Sequence, residues 1–271
     1  MKKHLFLVLI FLSLNASLFS QDTVHTATWF PKGNLLPTLR LSYSECQTSA
    51  SAYGYSASKN WQNRAFGIFS VGTRKNVIRW SHSQTMASEL GFELAVFTQF
   101  LFEQPFELFL VNLFNLEFKA GIHYQYKLDQ WRFRGRIYHI SAHLGDDYIF
   151  RYNIEGFIDN RRIYDVVDLS AVWLEEPWQV YGTIGFIFHS AYERLPILLE
   201  TGAQIEKSIA RKEWLRWIVG IDLRFEQEQD FRPGIHPGAG IGLGKKEHFP
   251  VTIMIDYYNG YMPYSLYDKV M

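Results

Sequence analysis

Apolar and polar residues alternate along most of this chain. In Leu116 to Lys127 the even positions read Leu, Phe, Ala, Ile, Tyr, Tyr, and the odd positions read Glu, Lys, Gly, His, Gln, Lys. Trp178 to His189 repeats the scheme, with Trp178, Val180, Ile184, Phe186 and Phe188 on one parity and Gln179, Tyr181 and Thr183 opening the other. In Leu215 to Glu226 the odd set is Leu, Trp, Val, Ile, Leu, Phe, and Arg216, Asp222, Arg224 and Glu226 lie opposite. Val251 to Tyr257 carries Thr252 and Asp256 on its minority face. Successive side chains of a strand point to opposite faces, so these segments predict strands with one apolar face. About twelve candidates are visible, centred near Leu41, Phe69, Ile78, Leu94, Ile122, Phe133, Leu169, Ile184, Thr201, Val219, Ala239 and Ile253. Phe100 to Asn115 is the place where a short helix is expected.

Two features separate this pattern from a soluble sandwich. The polar faces are heavily charged, with both signs recurring from strand to strand. The segments are also long and often end in Tyr or Trp, whereas a transmembrane β-strand needs ~9–11 residues with aromatic girdles at both interfaces. The predicted fold class is therefore all-β, an antiparallel transmembrane β-barrel of about twelve strands. Aromatic residues make up 17% of the 271, which suits such a wall. The mean hydropathy of −0.11 argues against a bundle of membrane helices.

Residues 1–20 (MKKHLFLVLIFLSLNASLFS) have two lysines, an apolar run and small residues near the end, the order of an exported signal peptide. The barrel domain is then 21–271, located in the outer membrane of a bacterium. Without Lys2 and Lys3 the 27 basic residues become 25, against 27 acidic ones, so nothing in the charge suggests nucleic acid. Cys46 is the single cysteine and excludes an internal disulfide framework. The expected partners are outer-membrane lipids and the barrel insertion machinery. No cofactor and no metal are expected. GIHPGAGIGLGKK, Gly234 to Lys246, imitates a phosphate loop, but Ala239 stands where its first glycine belongs and Lys246 follows Lys245. Its glycines on one parity leave room for long interior side chains.

WRFRGRIYHISAHLGDD, Trp131 to Asp147, carries the densest chemistry. Arg132, Arg134 and Arg136 share one face and should point inward. Glu93, Glu117, Asp222 and Glu226 are the carboxylates expected to meet them, with Arg134 in salt-bridge reach of one. Such an interior is either a set of mutually satisfied charges or a path for an anion. His139 and Ser141 fall on the opposite, apolar parity. Residues two apart on a strand lie ~7 Å apart on the same side, so this pair could form an activated nucleophile with Asp146, Asp147 or Glu155 as orienter. The alternative is a structural corner in which Gly145 supplies a turn. His139 and His143 are ~13 Å apart on a regular strand, too far to share one ion.

IYHISAHLGDDY (137–148), the FEQPF–LVN segment (102–112), DYYNGYMPYSLY (256–267) and the opening FPKGNLLPTLRLSYS occur in an order that resembles the bacterial family catalogued as domain of unknown function 1207. The resemblance spans most of the chain after the leader, and implies an outer-membrane barrel with no assigned activity. Members of that family usually continue past 257–267 into a final strand, whereas this sequence stops at Met271. His-x-Ser on an outer barrel face is also similar to the outer-membrane lipid A 3-O-deacylases, in which an Asn follows the Ser; here Ala142 does. The functions to distinguish are a structural or passive barrel with a charge-filled interior, a lipid ester hydrolase using His139 and Ser141, and a narrow channel or transporter.

Overall fold

In the computed structural model, residues 26–54, 65–103, 110–153, 162–209, 212–244 and 251–260 are described. The expected signal peptide, residues 1–20, lies outside them. Twelve strands form one antiparallel sheet: β1 (Thr26–Trp29), β2 (Ser49–Gly54), β3 (Ala65–Ser81), β4 (Met86–Glu103), β5 (Leu110–Leu128), β6 (Trp131–Leu144), β7 (Arg162–Glu175), β8 (Trp178–Ser190), β9 (Ile197–Ile209), β10 (Lys212–Glu226), β11 (Gly234–Leu243) and β12 (Val251–Asp256). From β3 to β12 each strand pairs with its sequence neighbour.

The alternation in the sequence is resolved as an inverted polarity. Ile122, Phe133, Ile137, Leu169, Ile184 and Phe186 are exposed on the outer face, while the largest fully buried side chains are Arg134, Arg136 and Arg216. Strands β3 to β10 run 13 to 19 residues, so the apolar outer band is tall. Turns 82–85, 129–130 and 176–177 join strands tightly at one end, while the connection from β6 to β7, 145–161, is the longest at the other. Within the β5–β6 turn Asp129 takes φ 49, the left-handed conformation that a two-residue hairpin turn requires.

The expected strand near Leu41 is not a strand. Pro31, Pro37 and Gly33 interrupt the run, and proline cannot donate to a ladder. The peaks near Phe69 and Ile78 belong to the single strand β3. In their place stand β1 and β2, which pair with opposite ends of the same edge of β3: Trp29 faces Ile78 and Ser49 faces Ser70. Together they amount to one interrupted strand. Residues 30–48 leave that edge, cross the concave side of the sheet and return.

This inner segment is bound from all around. Leu35 N–H donates to Glu89 (2.9 Å) on β4, and Leu36 N–H to Gln125 (3.1 Å) on β5. Leu36 and Leu39 pack against Val172 on β7 and Tyr181 on β8. Ser44 donates to Glu200 on β9 (3.0 Å), and Arg40 to Thr252 on β12 (2.9 Å). Gly238 on β11 leaves the space that Leu41 fills: a Cβ there would stand 2.7 Å from Leu41 Cδ2.

The helix expected within 100–115 is not found in the described part of that range, because 100–103 and 110–115 are strand; 104–109 lie outside the described residues. A bulge where Gln99 and Phe100 face Asn115 and Leu113 breaks the alternation and obscures the strand in the sequence. The helix is instead α1 (Asp146–Tyr152), inside the HLGDDY stretch. Asp146 and Asp147 in its first turn and Arg151 in its last complement the helix dipole. Its Tyr148 packs with Phe66, Leu101, Phe114 and Leu144, an apolar cluster that fills this end of the interior. At Gly145 an added Cβ would sit 1.9 Å from the Leu113 carbonyl oxygen, so only glycine fits. Gly145→Ala should unseat α1 and cost ~1–3 kcal/mol as an overpacked site. A lower midpoint for loss of the folded band on unboiled gels would register that cost, and an unchanged midpoint would refute the packing argument.

Candidate functional site

The three arginines point inward as their parity requires. Arg132 is partly buried and donates to the carbonyls of Leu35 (3.1 Å), Asp129 (2.6 Å) and Trp131 (2.8 Å). Arg136 grips Asp168 on the neighbouring strand, Nε to Oδ1 at 2.9 Å and Nη2 to Oδ2 at 2.7 Å, the forked geometry that suits a guanidinium. It also lies 3.7 Å from Glu93, which itself takes Lys119 Nζ at 2.8 Å.

Arg134 departs from expectation. Its carboxylate partner is not Glu93, Glu117, Asp222 or Glu226 but Glu45 of the inner segment, at 2.6 Å. Glu45 is 2% exposed and reaches Arg74 at 3.4 Å and Arg136 at 3.5 Å as well. The sequence reading missed Glu45 by placing a strand around Leu41. Pro31 and Pro37 were the available signal against a strand, although Leu39 to Ser44 alternates.

The other expected members are buried on the inner face without meeting Arg134. Glu117 is within electrostatic reach of Arg224, Arg162 and Arg194. Asp222 accepts the Tyr181 hydroxyl at 2.5 Å. Glu226 pairs with Arg224 at 2.7 Å and lies 3.6 Å from Arg194. Ser44, Tyr138, Asp168, Thr183, Glu200 and Arg224 line a residual space of about 30 Å³, room for roughly two waters.

On the outer face, His139 and Ser141 share the parity of Phe133 and Ile137. His139 Nδ1 lies 2.7 Å from Asp165 Oδ1 on β7, and His189 Nδ1 on β8 lies 2.8 Å from the other oxygen of the same carboxylate. A bulge between Asp165 and Val166 allows this, because His189 would otherwise follow exposed Phe188 onto the inner parity. Among the described residues Ser141 makes no side-chain hydrogen bond to His139, and Asp146 and Asp147 lie on α1 rather than beside the ring; Glu155 lies outside the described residues. Asp165, not proposed from the sequence, is the carboxylate that orients His139. Its signal was hidden, since it lies 26 residues away and meets His139 only through strand register. Among the described residues no three His, Cys, Asp or Glu side chains are grouped to hold a metal ion.

The family described as "Protein of unknown function (DUF1207)" matches residues 13–269, nearly the whole chain. The chain belongs to this family. No curated protein matches it. The described parts of the four stretches that carry the resemblance to the DUF1207 family fall on structural junctions. The opening stretch is the inner segment, Asp256 and Tyr258 approach it across His236, and the HLGDDY helix meets the 102–112 stretch, where Tyr152 donates to Glu103 and Asn112 donates to the same carboxylate at 3.1 Å.

Glu45 is the hub of the inner charges. Burial raises the pKa of its carboxyl, but Arg134, Arg74 and Arg136 outweigh that effect and hold it at about 2. A carboxyl depressed below its unfolded value of about 4.3 stabilises the fold above that value, and the stabilisation is lost as pH falls toward the folded one. Glu45→Gln should therefore cost ~3–5 kcal/mol at pH 7, because it leaves Arg134 buried without its carboxylate. The gap to the unmodified protein should shrink between roughly pH 4.3 and about 2. Thermal unfolding of both proteins across that range checks it, and a gap that stays constant would assign Glu45 no such role.

Proposed function

We propose that this DUF1207 protein is an outer-membrane β-barrel of structural, non-conducting character, occluded by its own residues 30–48. The observation that carries this reading is the burial of that segment: Leu36, Leu39, Ser42 and Glu45 are 0%, 1%, 1% and 2% exposed, and the segment bonds to strands from β3 to β12. The inverted polarity supports the membrane, since apolar outer bands and polar interiors are what bilayer-spanning barrels need. Closure is supported by the same segment, which bonds Asn76 on β3 through Asn34 (2.7 Å) and Thr252 on β12 through Arg40 (2.9 Å). A bilayer cannot satisfy an open sheet edge. Barrels of this kind have short periplasmic turns, which orients the α1 end outward.

The filled interior favours occlusion over a channel or transporter. At the α1 end lies the apolar cluster around Tyr148, in the middle the Glu45 charges, and at the other end Leu36 and Leu39 with Val172 and Tyr181. Fractionation should find the protein in the outer membrane, with heat-modifiable migration on gels; recovery as a soluble periplasmic protein would sink the reading. In planar bilayers the full protein should pass no steady current, and replacing residues 31–47 with a short Gly-Ser link should open pores. Steady conductance by the unmodified protein would favour the channel instead.

A second reading has one specific observation in its favour. His139 Nδ1 bonded to Asp165 is the base-and-orienter half of an activated nucleophile, facing outward at the end of the strand nearer α1. Ser141 lies on the same face and would need to swing to His139 Nε2 when a lipid ester arrives. Lipid A acylation, compared by mass spectrometry between cells carrying the unmodified protein and Ser141→Ala, decides this. Unchanged lipids with both proteins inserted would leave the cluster structural.

A further inference from the structure

His236 on β11 is 5% exposed and sits where the inner segment meets the last described strand. Its two ring nitrogens both face acceptors. Nδ1 is 2.7 Å from the Leu41 carbonyl oxygen of the inner segment, and Nε2 is 2.6 Å from Asp256 Oδ2 on β12. A neutral imidazole has one N–H and one lone pair, so it can satisfy only one of these oxygens. Both bonds together need one further proton, carried by the ring or shared with Asp256.

The surroundings make the ring a joint. Tyr43 of the inner segment stacks on it, with centroids 4.5 Å apart and planes 10° apart, and its hydroxyl lies 3.4 Å from Nε2. Tyr258, just past β12, meets it edge-on at 5.9 Å. The charged groups facing the site from β10 are Asp222, directly across the ladder from His236, and Arg224, which is paired with Glu226 at 2.7 Å. Asp222 is occupied by the Tyr181 hydroxyl. Asp256 is thus the carboxylate that His236 engages. β12 has only six residues and a ladder to β11 on one side, so this joint and the Arg40–Thr252 bond tie it to the interior.

We propose that His236 is a proton-dependent latch that holds the inner segment against β12. While the extra proton is present, Leu41 and Asp256 are bridged through one ring. When it leaves, one of the two bonds has no hydrogen, and the segment loses its tie to β11 or to β12. This inference rests on the occlusion reading above and is independent of whether the protein resides in a membrane.

Cys46, five residues along the segment from Leu41, is a built-in reporter. It is the only cysteine, it packs against Ala95 and Phe97, and burial pushes its thiol up to about 12, so it is inert while the segment is seated. The experiment follows maleimide labelling of Cys46 in the full-length folded protein at pH 6 and pH 9, with each rate divided by that of the unfolded chain under the same conditions. The unmodified protein should be protected at pH 6 and label about tenfold faster or more at pH 9, the population shift expected from losing a charge-assisted hydrogen bond. His236→Phe keeps the stacking and removes both bonds, and should label fast at both pH values. Asp256→Asn should do the opposite, because an amide can donate to a neutral ring; it should stay protected at pH 9, and it answers the question even where His236→Phe does not fold. Equal protection at both pH values in the unmodified protein, or fast labelling of Asp256→Asn at pH 9 only, would overturn the latch. Labelling of the folded unmodified protein at the unfolded rate at both pH values would overturn the occlusion reading itself.

Discussion

The structure depends on one carboxylate. Glu45 enters the interior on a segment with no strand partners of its own and meets Arg134, Arg74 and Arg136. A sheet that turns its apolar residues outward must place its charged residues inside, and buried charges without partners are very costly. The inner face supplies several pairs between strands, such as Arg136 with Asp168 and Lys119 with Glu93. Arg134 has no such cross-strand carboxylate, and its match arrives from the inner segment. The outer surface can be apolar because the interior is electrically balanced, and that balance includes a residue outside the wall.

Around this hub the interior is layered. Apolar groups lie toward both ends, charges occupy the middle, and Gly238 on β11 leaves space for Leu41 where the segment passes. Packing and electrostatics support each other here. The segment's leucines exclude water from the ion pairs, which strengthens them, and the ion pairs fix the segment's register against the strands.

Much of the wall was legible in the sequence. Period-two patterns in 116–127, 178–189 and 215–226 fixed which side chains face in, and the parity of Arg132, Arg134 and Arg136 was read correctly. The expected number of strands matched the observed twelve partly by coincidence. A non-existent strand at Leu41 and a doubled β3 balanced the two short strands β1 and β2, which are too brief to show a period. The described ends of the expected helix, 100–103 and 110–115, are strand; a bulge near Asn115 imitates a loss of alternation there, while the seven residues of α1 are too few to display a helical period. The partners of Arg134 and His139 were invisible for a different reason. Glu45 and Asp165 reach them through register and through a chain excursion, and neither is encoded in local spacing.

The interrupted strand has a topological consequence. Both ends of residues 30–48 are pinned to the same edge of β3, at Trp29 and at Ser49. The segment is therefore a loop and not a tail, tethered twice to one strand. In chain order β1, the loop, β2 and β3 precede all the other strands that the segment touches. It can leave the inner face only by bowing back across the edge from which it came, with both anchors still in place.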